Sequence, residues 1–157
     1  AYQTINRKPN LNNVHTALIH GGSGAVGGIA VQLAKMHGLT VFTTCSTAKV
    51  DYVRKHLDVD AVIDYRKEDV TERIGELTDG LGGLSMAVVN LGGAHGSGDS
   101  RQQNDLGTMA TDVFEMASQG RLDPLIERIL PFAELVDGLK TLATGKVTGK
   151  LVVSLDI

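Results

Sequence analysis

The sequence contains no tryptophan, one cysteine and three prolines, and only 4% of its residues are aromatic. With Cys45 alone, the chain can form neither an internal disulfide nor a cysteine-built zinc site, which suits a reducing compartment. There is no excess of positive charge: fifteen Lys and Arg stand against eighteen Asp and Glu, a net charge of -3, and the cations are scattered rather than striped. Such a surface presents no field to nucleic-acid phosphates. The apolar runs fall far short of the ~20 residues of a membrane span, and the opening "AYQTINRKPN" lacks the apolar centre of a signal peptide. A cytoplasmic protein with neither nucleic-acid nor membrane partners is expected. At 157 residues and 42% apolar content the chain has room for one domain, spanning 1–157, with a real core.

Glycine, by contrast, is abundant, with nineteen residues. Six of them fall in "LIHGGSGAVGGIAVQLAKMHG", five packed between a strand-like run (Val14 to Ile19) and a helix-like run in which Val26, Ile29, Ala30, Leu33 and Ala34 recur until the sixth, Gly38. The alternation continues. "LTVFT" (Leu39 to Thr43) reads as a second strand, followed by a helix capped by Ser46 or Thr47 with Val50, Val53 and Leu57 on one face. "DAVIDY" predicts a third strand, Asp69 caps the next helix (Val70, Ile74, Leu77), and "SMAVVN" predicts a fourth strand ending at Asn90. Strands joined by single helices pair in parallel through right-handed crossovers. The expectation is an α/β fold, a Rossmann-like doubly wound parallel sheet. After Asn90 a polar, glycine-rich stretch intervenes; a helix face follows (Leu106, Met109, Val113, Met116), then a short extended piece in "LDPLIERILPF". Phe132, Leu135, Val136, Leu139 and Leu142 predict a last helix, and "KLVVSL" a final strand.

Gly22-Ser23-Gly24-Ala25-Val26-Gly27 is a G-x-G-x-x-G that follows a strand and opens a helix. The first glycine permits the tight turn, the second lets a pyrophosphate approach the backbone, and the third lets helix and strand pack closely. Free amides and the helix dipole then face the phosphates. A glycine cluster can also mark a tight connection only, and the strand-turn-helix context favours nucleotide binding. An NAD site usually adds an acid about 20 residues further on, but here the second strand ends in "TTCSTAK", with no carboxylate before Asp51. Ser46 and Lys49 can instead hold a 2'-phosphate, which an acid would repel; the plainer reading makes Ser46 a helix cap and Lys49 a solvated lysine. Cys45 reads as a small, half-buried side chain without chemistry.

"LIHGGSGAVGGIAVQLAKMHGLTVFTTCSTAK", with "DAVIDYRKEDV" and "GKLVVSL", resembles the medium-chain dehydrogenase/reductase superfamily over nearly the whole chain, and within it the zinc-free NADPH quinone oxidoreductases. Gln32-Leu33-Ala34-Lys35-Met36-His37-Gly38 follows the form in which that family ends its first helix. The resemblance implies a nicotinamide dinucleotide cofactor, NADPH ahead of NADH. It places Ser46, Lys49 and Tyr65 around the 2'-phosphate and Asn90, Leu91 and Gly92 beside the nicotinamide. It also implies a homo-oligomer, and a small-molecule substrate (a quinone, an enone or a related carbonyl compound) for the intact enzyme. Two departures stand out. The family's N-terminal catalytic domain has no counterpart here, so no catalytic residue is assigned and the fragment itself is expected to be inactive. About 40 to 50 residues are also expected to be missing around Ala94 to Arg101, judged from typical strand and helix lengths.

Other chemistries find less support. A Tyr-x-x-x-Lys pair of short-chain reductases is absent, because Tyr2, Tyr52 and Tyr65 are followed four places on by Asn6, His56 and Asp69. No His pairs at metal-ligand spacing with Cys45 or another His, so no metal site is assigned. His20 reads as filler at a strand end, His95 stays unassigned, and Glu68-Asp69 reads as a helix start rather than an acid/base couple. The alternatives are the cofactor domain of a zinc-type alcohol or aldehyde dehydrogenase, and a non-catalytic nucleotide-binding module.

Overall fold

The computed structural model describes residues 1–7, 11–89 and 106–155, without the side chains of residues 7, 106 and 107. Four strands form one parallel sheet in the order β3-β2-β1-β4: β1 (Thr16–Ile19), β2 (Thr40–Cys45), β3 (Ala61–Asp64) and β4 (Met86–Val88). In this register Leu18 sits beside Phe42 on one side and Ala87 on the other, and Phe42 beside Ala61. Side chains alternate faces along each strand, and the core divides accordingly. Ala17, Ile19, Val41 and Cys45 pack with Ala30, Val31, Leu33 and Ala34 of helix α1 (Ala25–Met36) and Val53 of α2 (Val50–His56). Leu18, Phe42 and Ile63 face the other way, onto Ile74 of α3 (Val70–Leu77). The first two crossovers lie on one face and the third on the opposite face, which makes the sheet doubly wound. Its topological switch point falls between β1 and β4.

The predicted elements are present with shifts of one to four residues at their ends. The first strand begins at Thr16, because Val14 closes a short 3-10 turn, its amide bonded to the Leu11 carbonyl. The second runs on to Cys45, since both threonines after Phe42 are buried. Asp69 caps α3 as expected, its carboxylate accepting from the Thr71 and Glu72 amides. α4 (Leu106–Ser118) carries Met109, Val113 and Met116 toward the core.

The C-terminal part departs from expectation. The final strand, β6 (Lys150–Ser154), is present, but it pairs with β5 (Ile126–Pro131) in a separate two-stranded parallel sheet and not with the main one. The stripe that predicts the last helix, α5 (Leu135–Ala143), is no core face: Phe132, Val136, Leu139 and Leu142 are each more than half exposed. α5 meets β5 through Gly138, at which a Cβ would stand 2.5 Å from Leu130 Cδ1. A helix that approaches its sheet across a glycine leaves its larger apolar side chains outside.

Lys35, in the family-like end of α1, has a structural task. Asp60 Oδ2 accepts from the Val41 amide at 2.7 Å and from Lys35 Nζ at 3.0 Å, and the Asp60 amide donates to the Val41 carbonyl at 2.9 Å. This group ties α1, the start of β2 and the entry to β3. Burial alone would raise the Asp60 pKa, but the Val41 amide and the Lys35 ammonium outweigh it and hold the carboxyl below its ordinary value. A lowered folded-state pKa adds stability above the unfolded value of ~3.9, and that stability is lost as pH falls through the folded value. Asp60→Asn should cost about 1 kcal/mol at neutral pH, and the gap from the native chain should close in acid, below about pH 4. Denaturant melts of both proteins between neutrality and acid check this.

Candidate functional site

The turn after β1 is stitched to β2. The Gly22 amide donates to the Thr44 carbonyl at 3.1 Å, the Gly21 amide to Thr44 Oγ1 at 3.2 Å, and the Gly24 amide closes back on the Gly21 carbonyl at 2.9 Å. Thr43, fully buried, donates from Oγ1 to the Ile19 carbonyl at 2.6 Å and fills the space beneath Gly22. A Cβ on Gly22 would lie 2.2 Å from Thr43 Oγ1, and one on Gly27 2.2 Å from the Gly21 carbonyl oxygen. Gly22 and Gly27 are thus required by close approach, as the third glycine was expected to be. The left-handed turn conformation falls one residue earlier than expected, at Gly21 (φ 70°).

Gly24 differs. It is extended (φ −93°, ψ 166°), and the nearest atom to a Cβ there is 3.3 Å away. It begins α1 without a side-chain cap, and the first turn carries no acid. The leading amides of a helix, here those of Ala25, Val26 and Gly27, have no acceptor within the helix. An uncapped helix start at the carboxyl ends of parallel strands and at a switch point is a place for an anion.

The C-terminal segment closes one side of this turn. Gln32 of α1 grips the Asp123 backbone, its Oε1 accepting from the amide at 2.7 Å and its Nε2 donating to the carbonyl at 3.0 Å. Leu125, at φ 56°, sets its Cδ1 2.3 Å from where a Gly28 Cβ would be. The Gly149 amide donates to the Ser23 carbonyl at 3.0 Å, and Gly24 and Gly149 form a parallel bridge. Lys150 Nζ donates to the Pro124 carbonyl at 2.7 Å and reaches the Ala25 carbonyl at 3.4 Å, bringing a cation to the first turn of α1. Sequence reading missed Thr43, Thr44 and Lys150 and used Gln32 only as a signature letter. The one available signal was a pair of threonines inside an otherwise apolar strand.

Ser46 and Lys49 follow β2, and Tyr65 follows the adjacent β3, so all three stand at the carboxyl end of the sheet. Ser46 opens a 3-10 turn, but its side chain makes no capping bond. Lys49 is not a freely solvated lysine: its Nζ donates to the carbonyls of Gly145 at 3.1 Å and Val147 at 2.8 Å. Tyr65 is half exposed, with the Arg66 guanidinium 5.6 Å above its ring. Asn90, Leu91 and Gly92, expected beside a nicotinamide, lie outside the described residues, as do Ala94, His95 and Arg101.

Cys45 is fully rather than half buried, because β2 runs through it. Burial first, and then the Asp64 carboxylate, push its thiol up to about 11, against smaller opposing effects of Arg54 and Lys49. A protonated, enclosed thiol is no nucleophile. His20 spans β1 and β2, its Nδ1 3.3 Å from Thr44 Oγ1. Among the described residues no three His, Cys, Asp or Glu are grouped to hold a metal ion.

The sheet order, the switch point and the glycine turn define a Rossmann-type dinucleotide-binding domain. Residues 25–98 match the family described as zinc-binding dehydrogenase. The 2-methylene-furan-3-one reductase of Solanum lycopersicum is 31% identical, over 98% of this chain and 43% of its own length. The NAD-dependent alcohol dehydrogenase of Sulfolobus acidocaldarius is 29% identical, over 97% of this chain and 54% of its own. The quinone oxidoreductase of Escherichia coli, whose crystal structure is complexed with NADPH, superposes with a TM-score of 0.75 at 20% identity, covering 97% of this chain and 60% of that one. These matches support a cofactor-binding domain similar to those of the medium-chain dehydrogenase/reductase superfamily. The chain spans about half the length of the curated relatives it matches.

The glycines should separate by substitution. Gly27→Ala, which drives a Cβ into backbone, should cost at least about 2 kcal/mol, in the range of overpacked cores. Gly24→Ala, with only a 3.3 Å contact to relieve, should stay within about 1 kcal/mol of the native chain. Urea denaturation of the two variants decides between these roles.

Proposed function

We propose that the chain is the NADPH-binding half of an oxidoreductase that passes hydride to an electron-poor alkene or quinone. The carrying observation is the turn at Gly24: an uncapped, acid-free helix start at the carboxyl end of the sheet, with Lys150 reaching its first turn and Lys49 following the adjacent β2. The residues present fit a dinucleotide. Gly22 to Gly27 would face the pyrophosphate, with Ser23 and Ala25 supplying backbone, while Ser46, Lys49 and Tyr65 would surround the adenosine 2'-phosphate. Val26, half exposed, would border the cofactor, and Asn90, Leu91 and Gly92 complete the reading at the nicotinamide end. When bound, the cofactor supplies the hydride, and the protein supplies orientation and charge. The substrate class is supported by two relatives' names, since a 2-methylene-furan-3-one and a quinone both present an alkene conjugated to a carbonyl. The 1–157 segment is read as the cofactor domain only, in a protein of the cytoplasm.

A second reading, an NADH-linked alcohol dehydrogenase domain, is favoured by the name of the Sulfolobus relative, and a third is a binding module without turnover. Calorimetric titration of NADPH and NADH distinguishes the first two. NADPH should bind this chain at least about 10-fold tighter, the value of one charge-assisted contact, and Gly24→Ala should weaken both ligands. The 157-residue chain should bind without oxidising NADPH in the presence of a quinone, because a half-site cannot hold the second reactant in geometry. Tighter binding of NADH would sink the NADPH reading, and steady turnover by this chain would sink the assignment to a cofactor half.

Self-association belongs to the same reading. Ile129, Phe132, Val136, Leu139 and Leu142 form an exposed apolar surface on β5, α5 and the turn between them, of a kind that marks interaction sites. β4 has a strand partner on one side only among the described residues, and an open edge invites pairing. Light scattering at micromolar concentration should return a dimer or larger species; a monodisperse monomer would contradict it.

A further inference from the structure

Lys49 is the one cation beside β2 in "TTCSTAK", and its ammonium is already held. Two of its three N–H groups go to the carbonyls of Gly145 and Val147, in the turn between α5 and β6. That turn starts at Gly145 in the left-handed region (φ 68°), where the Gly145 amide caps the helix by donating to the Leu142 carbonyl at 3.1 Å. It ends at Gly149, bonded to the Ser23 carbonyl in the glycine turn itself. One short segment therefore touches both the lysine expected at the adenosine end and the backbone expected at the pyrophosphate. A free lysine loses roughly 2 kcal/mol of rotamer entropy when a ligand fixes it. A lysine fixed beforehand by two carbonyls loses less, and its third N–H remains to be donated.

We infer that the 145–149 turn is a positioning element for 2'-phosphate recognition: its carbonyls hold Lys49 ready, and a 2'-phosphate on the ligand in turn tightens the turn. The inference rests on the NADPH reading of the site. The coupling is reciprocal, since a group that orders Lys49 for the phosphate must itself be ordered by the phosphate.

The test uses the full 157-residue chain with adenosine 2',5'-bisphosphate and adenosine 5'-monophosphate, which differ only in the 2'-phosphate. Gly145→Val leaves every charged group in place. A Cβ there meets nothing within 4 Å, and the left-handed backbone is what the β-branched side chain disfavours. The variant should lower affinity for the bisphosphate by about 5- to 10-fold and change that for the monophosphate by less than about 2-fold. Gly145→Asn, which tolerates that conformation, should restore the native ratio. In the native chain, hydrogen exchange of the 146–149 amides should slow with the bisphosphate more than with saturating monophosphate, and Lys49→Met should speed it. Equal losses for both ligands, an unchanged ratio, or equal protection by both would overturn the inference while leaving the NADPH reading standing. Equal affinity of the native chain for the two ligands would overturn the reading and the inference together. Should Gly145→Val fail to fold, the exchange comparison in the native chain decides alone.

Discussion

The constraint on which the glycine turn depends is the approach of helix α1 to the carbonyl of Gly21. A methyl group at Gly27 would lie 2.2 Å from that oxygen, inside any tolerable contact, and one at Gly22 would meet Thr43 as closely. The contact at Gly27 is between backbone and backbone, so no rotamer change could relieve it. Because it holds, α1 starts directly against the ends of β1 and β2, and its uncapped amides open at the carboxyl edge of the sheet. The same closeness lets Ala30, Val31, Leu33 and Ala34 reach the layer formed by Ala17, Ile19 and Val41. The packing of α1 and the placement of its uncapped start thus share one cause, so a defect at Gly27 disturbs both, whereas Gly24 has only the looser 3.3 Å approach to relieve.

Much of the sheet was legible because its signals are local. The apolar runs around Leu18, Phe42 and Ile63, the Asp69 cap and the glycine stops each depend on a few neighbouring residues, and each lies where the pattern puts it. The pattern also conveyed the glycine motif, but not the division of labour within it. The left-handed turn falls at Gly21, while Gly22 is required by the approach of Thr43, which arrives from twenty-odd residues away. Long-range contacts were harder still. Gln32 bonds the backbone of Asp123, 91 positions along the chain, and a side-chain amide that reads a backbone leaves no trace in the composition of its target. The placement of α5 was illegible for a further reason. Helical spacing marks an apolar stripe but not whether anything packs on it, and Gly138, with no side chain, makes the actual contact.

The C-terminal sheet would have little to hold it if left to its own packing, since Leu130 is the only residue of β5 that is buried. What joins it to the body is polar and specific: Gln32 on Asp123, Lys150 on Ala25, Gly149 on Ser23, and Lys49 on Gly145 and Val147. Contacts of this kind contribute roughly 0.5 to 1.5 kcal/mol each, and more where a charge takes part. They fix direction more than they supply energy. Leu125 adds the apolar component, seated over the space that the absent Gly28 side chain leaves open.

The same contacts have an electrostatic consequence. Lys150 is drawn toward the start of α1, where the helix dipole already presents positive charge, and burial lowers the pKa of its amine, with Asp123 opposing. Lys49 likewise points at carbonyls and is paired with no carboxylate among the described ion pairs. Two ammonium groups held by neutral oxygens retain most of their charge for something else. A protein surface ordinarily settles lysines against acids, as Lys35 settles against Asp60. Here the first turn of α1 carries no acid, and the second strand ends without one. The fold thus brings two cations, Lys49 after β2 and Lys150 at the first turn of α1, to the carboxyl end of the main sheet, although the chain as a whole is acidic. Net charge describes the average surface; the field inside a cleft is set by the few groups the fold brings to its walls.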